Sequence, residues 1–276
     1  MSQLVYFGSA GASGANQNLD VEEEWLGFAA DGATTLVQSG GTNNTKGSWT
    51  AIGTSTEDWA GFVLYLGPGS ASSARYLVDI RVGGVTVVPD LYIEPNQGFA
   101  PIPVFLPLAI TAGLFEARIQ AENSNRTLRI GIVGFVRSAQ SAPMYSTMTA
   151  LNVDVANTRA SASDIALQGS GGTTYGTLSA SLAASYGAFL FSPGGSGAVP
   201  ATSQQLDLHF ATGAAAAEAD FARHSTWITN TAASFLNRAM RLVERTIASG
   251  ARLSVKPVVA TPGTDTMRLA AYGFSP

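Results

Sequence analysis

One phrase occurs twice in the sequence, and this internal repeat constrains the fold more than any other feature. The stretch Ile110–Phe135 opens Ile-x-x-Gly, continues with alternating residues and ends in Gly-Phe, as does Ile247–Phe274. Upstream, WAGFVLYLGPGS (Trp59–Ser70) matches YGAFLFSPGGSG (Tyr186–Gly197). The matched landmarks are Gly41 and Gly172, Phe62 and Phe189, Asp79 and Asp207, Gly113 and Gly250, and Gly134 and Gly273. Because their order is the same in both halves, we predict two tandem copies of one domain.

Within each copy the apolar residues recur with a period of two, which is the period of a half-buried β-strand. In Arg75–Val82 one side of the strand carries Tyr76, Val78, Ile80 and Val82. Clusters of Gly, Pro, Ser and Asn separate such strands at turn-like intervals. This pattern predicts an all-β chain made of two tandem antiparallel β-sandwich domains of the jelly-roll type.

The repeat also sets expected domain boundaries. We expect residues 1–45 to form an N-terminal arm and the first strands, with a docking role for the arm. Residues 36–142 would form the first sandwich and residues 158–276 the second, joined by a linker at residues 143–157.

One region conflicts with the strand pattern. Ala214–Arg245 is rich in Ala, Leu, Arg and Met, which favour helix. Its counterpart in the first copy, Gly83–Gly113, is rich in Pro and cannot form a long helix. Since the copies should share a fold, we expect the second region to be mostly extended, with a helical turn near Ala232–Arg241.

Composition limits the partners of the chain. Charged residues are only 12% of the 276, the formal net charge is −4 and there is no cysteine. An acidic chain without basic clusters is not expected to bind nucleic acid, and no apolar run is long enough to predict membrane insertion. The N-terminus does not resemble a secretory signal, so we expect synthesis in a cytoplasm. So little charge also favours surfaces that pack against other subunits.

Residue types that could carry catalysis have structural explanations. His209 and Asp207 share one side of a strand, but no nucleophile motif accompanies them. The acidic stretch Asp20–Trp25 predicts a solvated turn or a helix start. Asp79 is expected to form a structural pair with Arg81, two residues along the same strand. We therefore predict no catalytic residues, no metal site, no cofactor and no enzymatic activity.

Aromatic residues near loops provide one binding hypothesis. Trp49, Tyr175 and Trp227 are candidate glycan contacts, because exposed rings flanked by polar residues suit sugar binding. Trp59 and Tyr186 match in the repeat and are expected to be core aromatics. The repeat alignment pairs Trp49 with Ser179.

The phrase LPLAITAGLFEARIQA followed by LRIGIVGF resembles one in virion proteins of tailed bacteriophages and related prophage or gene-transfer particles. This resemblance implies a non-enzymatic structural subunit on a virion, made in the host cytoplasm and associated with the tail or baseplate. Its partners would be further copies of itself and other virion proteins. The alternatives are a glycan- or receptor-binding module, which would contact host-surface glycan, and a capsid-decorating or head-fibre protein.

Overall fold

The computed structural model describes residues 22–29, 34–69, 75–94, 102–137, 145–195, 203–228, 240–263 and 265–276. In this part of the chain the regular elements are β-strands and one short 3-10 turn at Val155–Asn157. The first half contains β1 (Glu23–Leu26), β2 (Thr35–Gln38), β3 (Thr50–Thr54), β4 (Trp59–Pro68), β5 (Tyr76–Val82), β6 (Val85–Ile93), β7 (Ile102–Leu106), β8 (Leu114–Ala121) and β9 (Thr127–Val136). The second half contains β10 (Thr147–Ala150), β11 (Ile165–Ala166), β12 (Gly176–Ser179), β13 (Tyr186–Gly195), β14 (Gln204–Thr212), β15 (Ala219–Ile228), β16 (Arg241–Ile247), β17 (Leu253–Val259) and β18 (Thr266–Ser275).

The two halves have the same strand topology. Sheet I has the order β1-β9-β4-β7 with β2 also on β9, and sheet II has the order β3-β8-β5-β6. In the second half, sheet III has the order β10-β18-β13-β16 with β11 also on β18, and sheet IV has the order β12-β17-β14-β15. Long connections from one sheet to the other are characteristic of a jelly roll. The predicted all-β fold with two tandem antiparallel sandwiches is confirmed.

The repeated Gly-Phe phrase marks where an aromatic ring packs against backbone. A Cβ atom on Gly134 would overlap the ring of Trp59, and one on Gly273 would overlap the ring of Tyr186. Both rings are buried, so the prediction that Trp59 and Tyr186 are core aromatics is confirmed. The glycine is needed because the ring occupies the space of a side chain.

The two sandwiches share a buried contact, in which the outer side of sheet III joins the core cluster of the first sandwich while the second sandwich keeps its own core. Leu190 and Tyr272 lie on the outer side of sheet III, yet both are buried in the core cluster of the first sandwich. The Tyr272 hydroxyl accepts a hydrogen bond from the Tyr92 amide at 2.7 Å and donates one to the Asp90 carbonyl at 2.8 Å. A Cβ on Gly194 would stand 2.8 Å from the ring of Tyr92. Sheet III is therefore covered on both sides, which explains why β13 and β18 are almost entirely buried.

The segment expected to be a linker, residues 143–157, contains a strand. β10 and the 3-10 turn both lie within residues 143–157, and β10 pairs with β18 in sheet III. The second sandwich therefore begins inside that segment. At the other end, β1 and β2 fall within residues 1–45, while residues 1–21 lie outside the described part of the chain.

The ambiguous region Ala214–Arg245 opens with a turn that ends at Ala216, and from Ala219 it is extended where it is described. β15 occupies Ala219–Ile228, and β16 begins at Arg241. Residues 229–239, which contain most of the expected helical turn, are outside the described residues. Helix propensity is overridden because this region pairs with strands of sheets III and IV.

Candidate binding surfaces

A cluster of charges covers part of the outer side of sheet II. The Asp79 side chain is only 3% exposed, and its Oδ2 lies 2.7 Å from both Lys46 Nζ and Arg118 Nε. Its Oδ1 accepts a hydrogen bond from the Asp90 amide at 2.8 Å. Asp79 thus holds three elements together: the loop before β3, the strand β8 and an irregular step in β6.

Trp49 belongs to the same cluster. Arg81 makes a bidentate ion pair with Glu116, at 2.6 and 2.8 Å, and not with Asp79 as the sequence predicted. Cross-strand register decides this, because Glu116 lies directly opposite Arg81 and Arg118 lies directly opposite Asp79. The guanidinium groups of Arg81 and Arg118 lie 4.3 and 4.4 Å from the centre of the half-buried Trp49 ring.

The strand register corrects the pairing of Trp49 with Ser179. β3 pairs with β8, and β12 pairs with β17, with a bulge at the same place in each pair. Thr50 and Gly176 each lie one residue before the position at which the bulge begins. The residue equivalent to Trp49 is therefore Tyr175. The connection before the strand is shorter in the second copy, and an alignment anchored on glycine motifs does not detect this.

The pairing of Asp79 with Asp207 is also wrong. In the second sandwich, Lys256 is the residue equivalent to Arg118. Asp79 lies opposite Arg118, and His209 lies opposite Lys256, so the residue equivalent to Asp79 is His209. A slip of two residues leaves a strand's alternating pattern unchanged, so sequence alone does not detect it.

Tyr175 and His209 meet at Asp220 on the outer side of sheet IV. The Tyr175 hydroxyl donates to Asp220 Oδ1 at 2.5 Å, and His209 Nδ1 lies 2.9 Å from Oδ2. Burial, together with the hydrogen bond to this carboxylate, raises the pKa of Tyr175 to about 12. Lys256 Nζ lies 5.0 Å from the centre of the Tyr175 ring. Both the ring and the histidine therefore have structural partners.

Trp227 lies on the same side of sheet IV. Its side chain is 45% exposed on β15, directly opposite Gln205 of β14. The neighbouring pair is Asp207 and Ser225, whose hydroxyl donates to the carboxylate. The structure thus places Tyr175 and Trp227 on one sheet face, and Trp49 on the corresponding face of the other sandwich.

The acidic stretch Asp20–Trp25 is not a turn or a helix start where it is described, because β1 occupies Glu23–Leu26 and pairs with β9. Glu24 accepts hydrogen bonds from the Trp59 indole at 3.0 Å and from the Thr56 amide at 2.8 Å. Burial alone would raise the pKa of Glu24, but these hydrogen bonds outweigh it, and the net pKa is lowered.

Sequence reasoning missed the outer side of sheet I. The residues there, which we call the aromatic face, are Trp25, Phe28, Val63, Tyr65, Phe105 and Phe135. Trp25 packs edge-on against Phe28 with centroids 5.2 Å apart, and Phe28 against Tyr65 at 5.9 Å. Trp25 remains 56% exposed, and Leu36 beside the face is 49% exposed.

A signal for the aromatic face was present in the sequence. Strands that are apolar on one side alternate, whereas GFVLYLG in β4 is apolar at consecutive positions. Such runs are typical of strands that are covered on both sides. The inner side of β4 faces the core of its own sandwich, and its outer side carries part of the aromatic face.

The described ranges of the chain contain no cluster of three or more His, Asp or Glu side chains arranged to hold a metal ion. None of their elements is a helix long and apolar enough to span a membrane.

Comparisons with known proteins give a distant likeness of fold. No family model and no curated protein matches the sequence. PNGase F, a glycosylasparaginase from Flavobacterium meningosepticum, has a TM-score of 0.41 at 10% identity, over 87% of this chain and 96% of its own. A peptide-N(4)-(N-acetyl-β-D-glucosaminyl) asparagine amidase gives 0.35 at 10% identity, over the same shares. The tandem CBM22 domains of a Paenibacillus barcinonensis protein give 0.26 at 12% identity, over 93% and 92%. At these scores the names of these proteins assign no activity to this chain.

Proposed function

We propose that this protein is a non-enzymatic structural subunit of a tailed-phage virion, associated with the tail or baseplate and assembling through the aromatic face. The observation that carries the proposal is the exposure of Trp25 and Leu36 on an outer sheet side built from aromatic rings. Contiguous exposed apolar patches mark sites of protein association. The resemblance of the repeated phrase to virion proteins supports this particular setting.

The side chains best suited to chemistry support a structural role. The Asp79 carboxylate forms ion pairs with Lys46 and Arg118. The Glu24 carboxylate accepts hydrogen bonds from the Trp59 indole and from the Thr56 amide. Hydrogen bonds from Ser225 and Gln205 lower the pKa of Asp207. A general acid needs a raised pKa near the working pH, so the shifts at Glu24 and Asp207 are in the wrong direction for acid catalysis.

Particle fractionation tests the proposal. Lysate from cells that make the particle would be separated on a density gradient, and each fraction probed with an antibody against the full-length chain. We expect the protein in the fractions that contain intact particles. A protein found only among free proteins, while particle fractions carry the other virion subunits, would contradict the proposal.

A second candidate is binding of host glycan on the outer side of sheet IV. Exposed Trp227 beside Gln205 and Asp207 favours it, since a ring flanked by polar groups suits a sugar. On a glycan array, this alternative requires binding that Trp227→Ala removes and that Val85→Ala, also on an exposed residue, leaves intact.

A further inference from the structure

The side of the jelly roll that forms the aromatic face is already an interface in the second sandwich. In sheet I, Val63 pairs with Val133 on one side and with Phe105 on the other. Its equivalent in sheet III is Leu190, which pairs with Tyr272 and with Leu242. Leu190 and Tyr272 are buried under Tyr92 of the first sandwich. This fold therefore uses this side of its sheet for docking, and the aromatic face is its equivalent at the other end of the chain.

The surface that docks on sheet III is not repeated on the second sandwich. That surface includes Leu77 and Tyr92, which pair across β5 and β6. Counting along the register from Asp79 and His209, the equivalent pair on sheet IV is Asp207 and Ser225. A head-to-tail contact between copies would bury the hydrogen-bonded Asp207 carboxylate against aromatic rings, and taking this charge out of water is unfavourable. The geometry thus disfavours a chain of copies linked by the same contact.

Two of the charged residues around the aromatic face, Glu23 and Arg129, stand at opposite ends of it. Glu23 lies at one end, opposite Phe135, and Arg129 lies at the other end, opposite Leu36. Both charged residues are exposed. Six residues of extended strand separate the two ends of β9, a distance of roughly 20 Å. A second copy turned by a two-fold rotation, with its strands antiparallel, would bring Glu23 of each copy against Arg129 of the other.

We propose that a second copy of this chain covers the aromatic face in a two-fold, face-to-face dimer. The inference rests on the proposed assembly role and adds the partner and the geometry. Trp25 and Phe28 of both copies form the dry centre, with a Glu23–Arg129 pair at each end. Two sheets pack face to face with nearly aligned strands, about 10 Å apart. Two-fold contacts use the same patch on both copies.

The first test is the native mass of the full-length protein, measured by light scattering behind a sizing column. We expect twice the chain mass of 28.5 kDa for the wild type. Trp25→Glu should reduce the dimer affinity at least a hundredfold and give the single-chain mass. Val85→Glu is the matched control: Val85 is 68% exposed but lies at the β5–β6 turn, away from the face, so its variant should remain dimeric. Far-UV circular dichroism checks that each variant is folded.

A charge exchange tests the geometry without altering any apolar residue. Glu23→Arg alone or Arg129→Glu alone places like charges together at both ends of the contact, so each should weaken dimerisation about tenfold at low salt. The double variant restores opposite charges at both ends and should recover most of the wild-type affinity. A double variant no better than the single ones would overturn the two-fold arrangement.

The outcomes separate this inference from the proposed function. A wild type that stays monomeric because residues 1–21 cover the aromatic face of the same chain would overturn the dimer. If the protein is found in particles but Trp25→Glu does not change the native mass of the purified chain, the dimer is overturned and the virion role stands. A dimer that shows the expected charge exchange but is absent from particles would support this interface and overturn the virion role.

Discussion

The indole ring of Trp59 lies against the Cα of Gly134 so closely that no side chain fits between them. The same relationship recurs in the second sandwich between Tyr186 and Gly273. Each ring closes its own core beside the final strand of its sandwich, where β4 pairs with β9 and β13 with β18. The repeated Gly-Phe ending is therefore the sequence mark of one packing arrangement used twice.

Gly134→Ala should lower the free energy of unfolding by about 3 kcal/mol, because a buried ring has no room to move aside in a packed core. Chemical denaturation followed by circular dichroism measures the change. Gly41→Ala is the matched control, since a Cβ there meets no atom within 4 Å. Equal effects at Gly134 and Gly41 would contradict the packing explanation.

Tyr272→Phe should weaken the contact between the two sandwiches. It removes the acceptor for the buried Tyr92 amide and the donor for the partly buried Asp90 carbonyl. Leaving buried polar groups without partners costs about 2 kcal/mol. Hydrogen exchange of the Tyr92 amide should become faster in the variant. Tyr175→Phe, which removes a more exposed hydroxyl bonded to Asp220, should leave that exchange unchanged.

Asp79→Asn should be among the most destabilising substitutions of a charged residue. The carboxylate is buried between Lys46 and Arg118; without its charge Arg118 loses its carboxylate partner, and Lys46 keeps only Asp90. Losing charge-assisted hydrogen bonds at a buried carboxylate costs about 2 kcal/mol. Thermal unfolding of Asp79→Asn should therefore occur well below that of Asp207→Asn, which alters a more exposed carboxylate. Similar melting temperatures for the two variants would argue against the cluster's structural role.

Glu24 should contribute to acid unfolding. Its pKa is lowered in the folded protein, because hydrogen bonds from Thr56 and Trp59 outweigh the effect of burial. A carboxyl with a lowered folded pKa stabilises the fold above its unfolded pKa, and this contribution is lost as pH falls through the folded value. Between about pH 5 and pH 3 the melting temperature of Glu24→Gln should therefore fall less steeply than that of the wild type. Parallel curves would contradict this role.

The repeat and its period of two were sufficient to predict the tandem sandwiches, because both follow from where apolar residues stand along the chain. The partners of Asp79 and the equivalent of Trp49 were not predictable in this way. They depend on cross-strand register and, for Trp49, on the length of the connection before β3; a slip by an even number of residues keeps every side chain on the same side of the sheet. The aromatic face was missed for a related reason. Consecutive apolar residues in β4 indicate burial on both sides, but not what lies on the second side.

The measurement that tests the central claim most directly is hydroxyl-radical footprinting of the full-length wild type, at concentrations above and below the assembly transition. Trp25 and Trp227 are both exposed in the single chain, at 56% and 45%, so each reports on its own surface. We expect Trp25 to become protected on assembly while Trp227 keeps its reactivity. Protection of Trp227 with Trp25 unchanged would contradict assembly through the aromatic face.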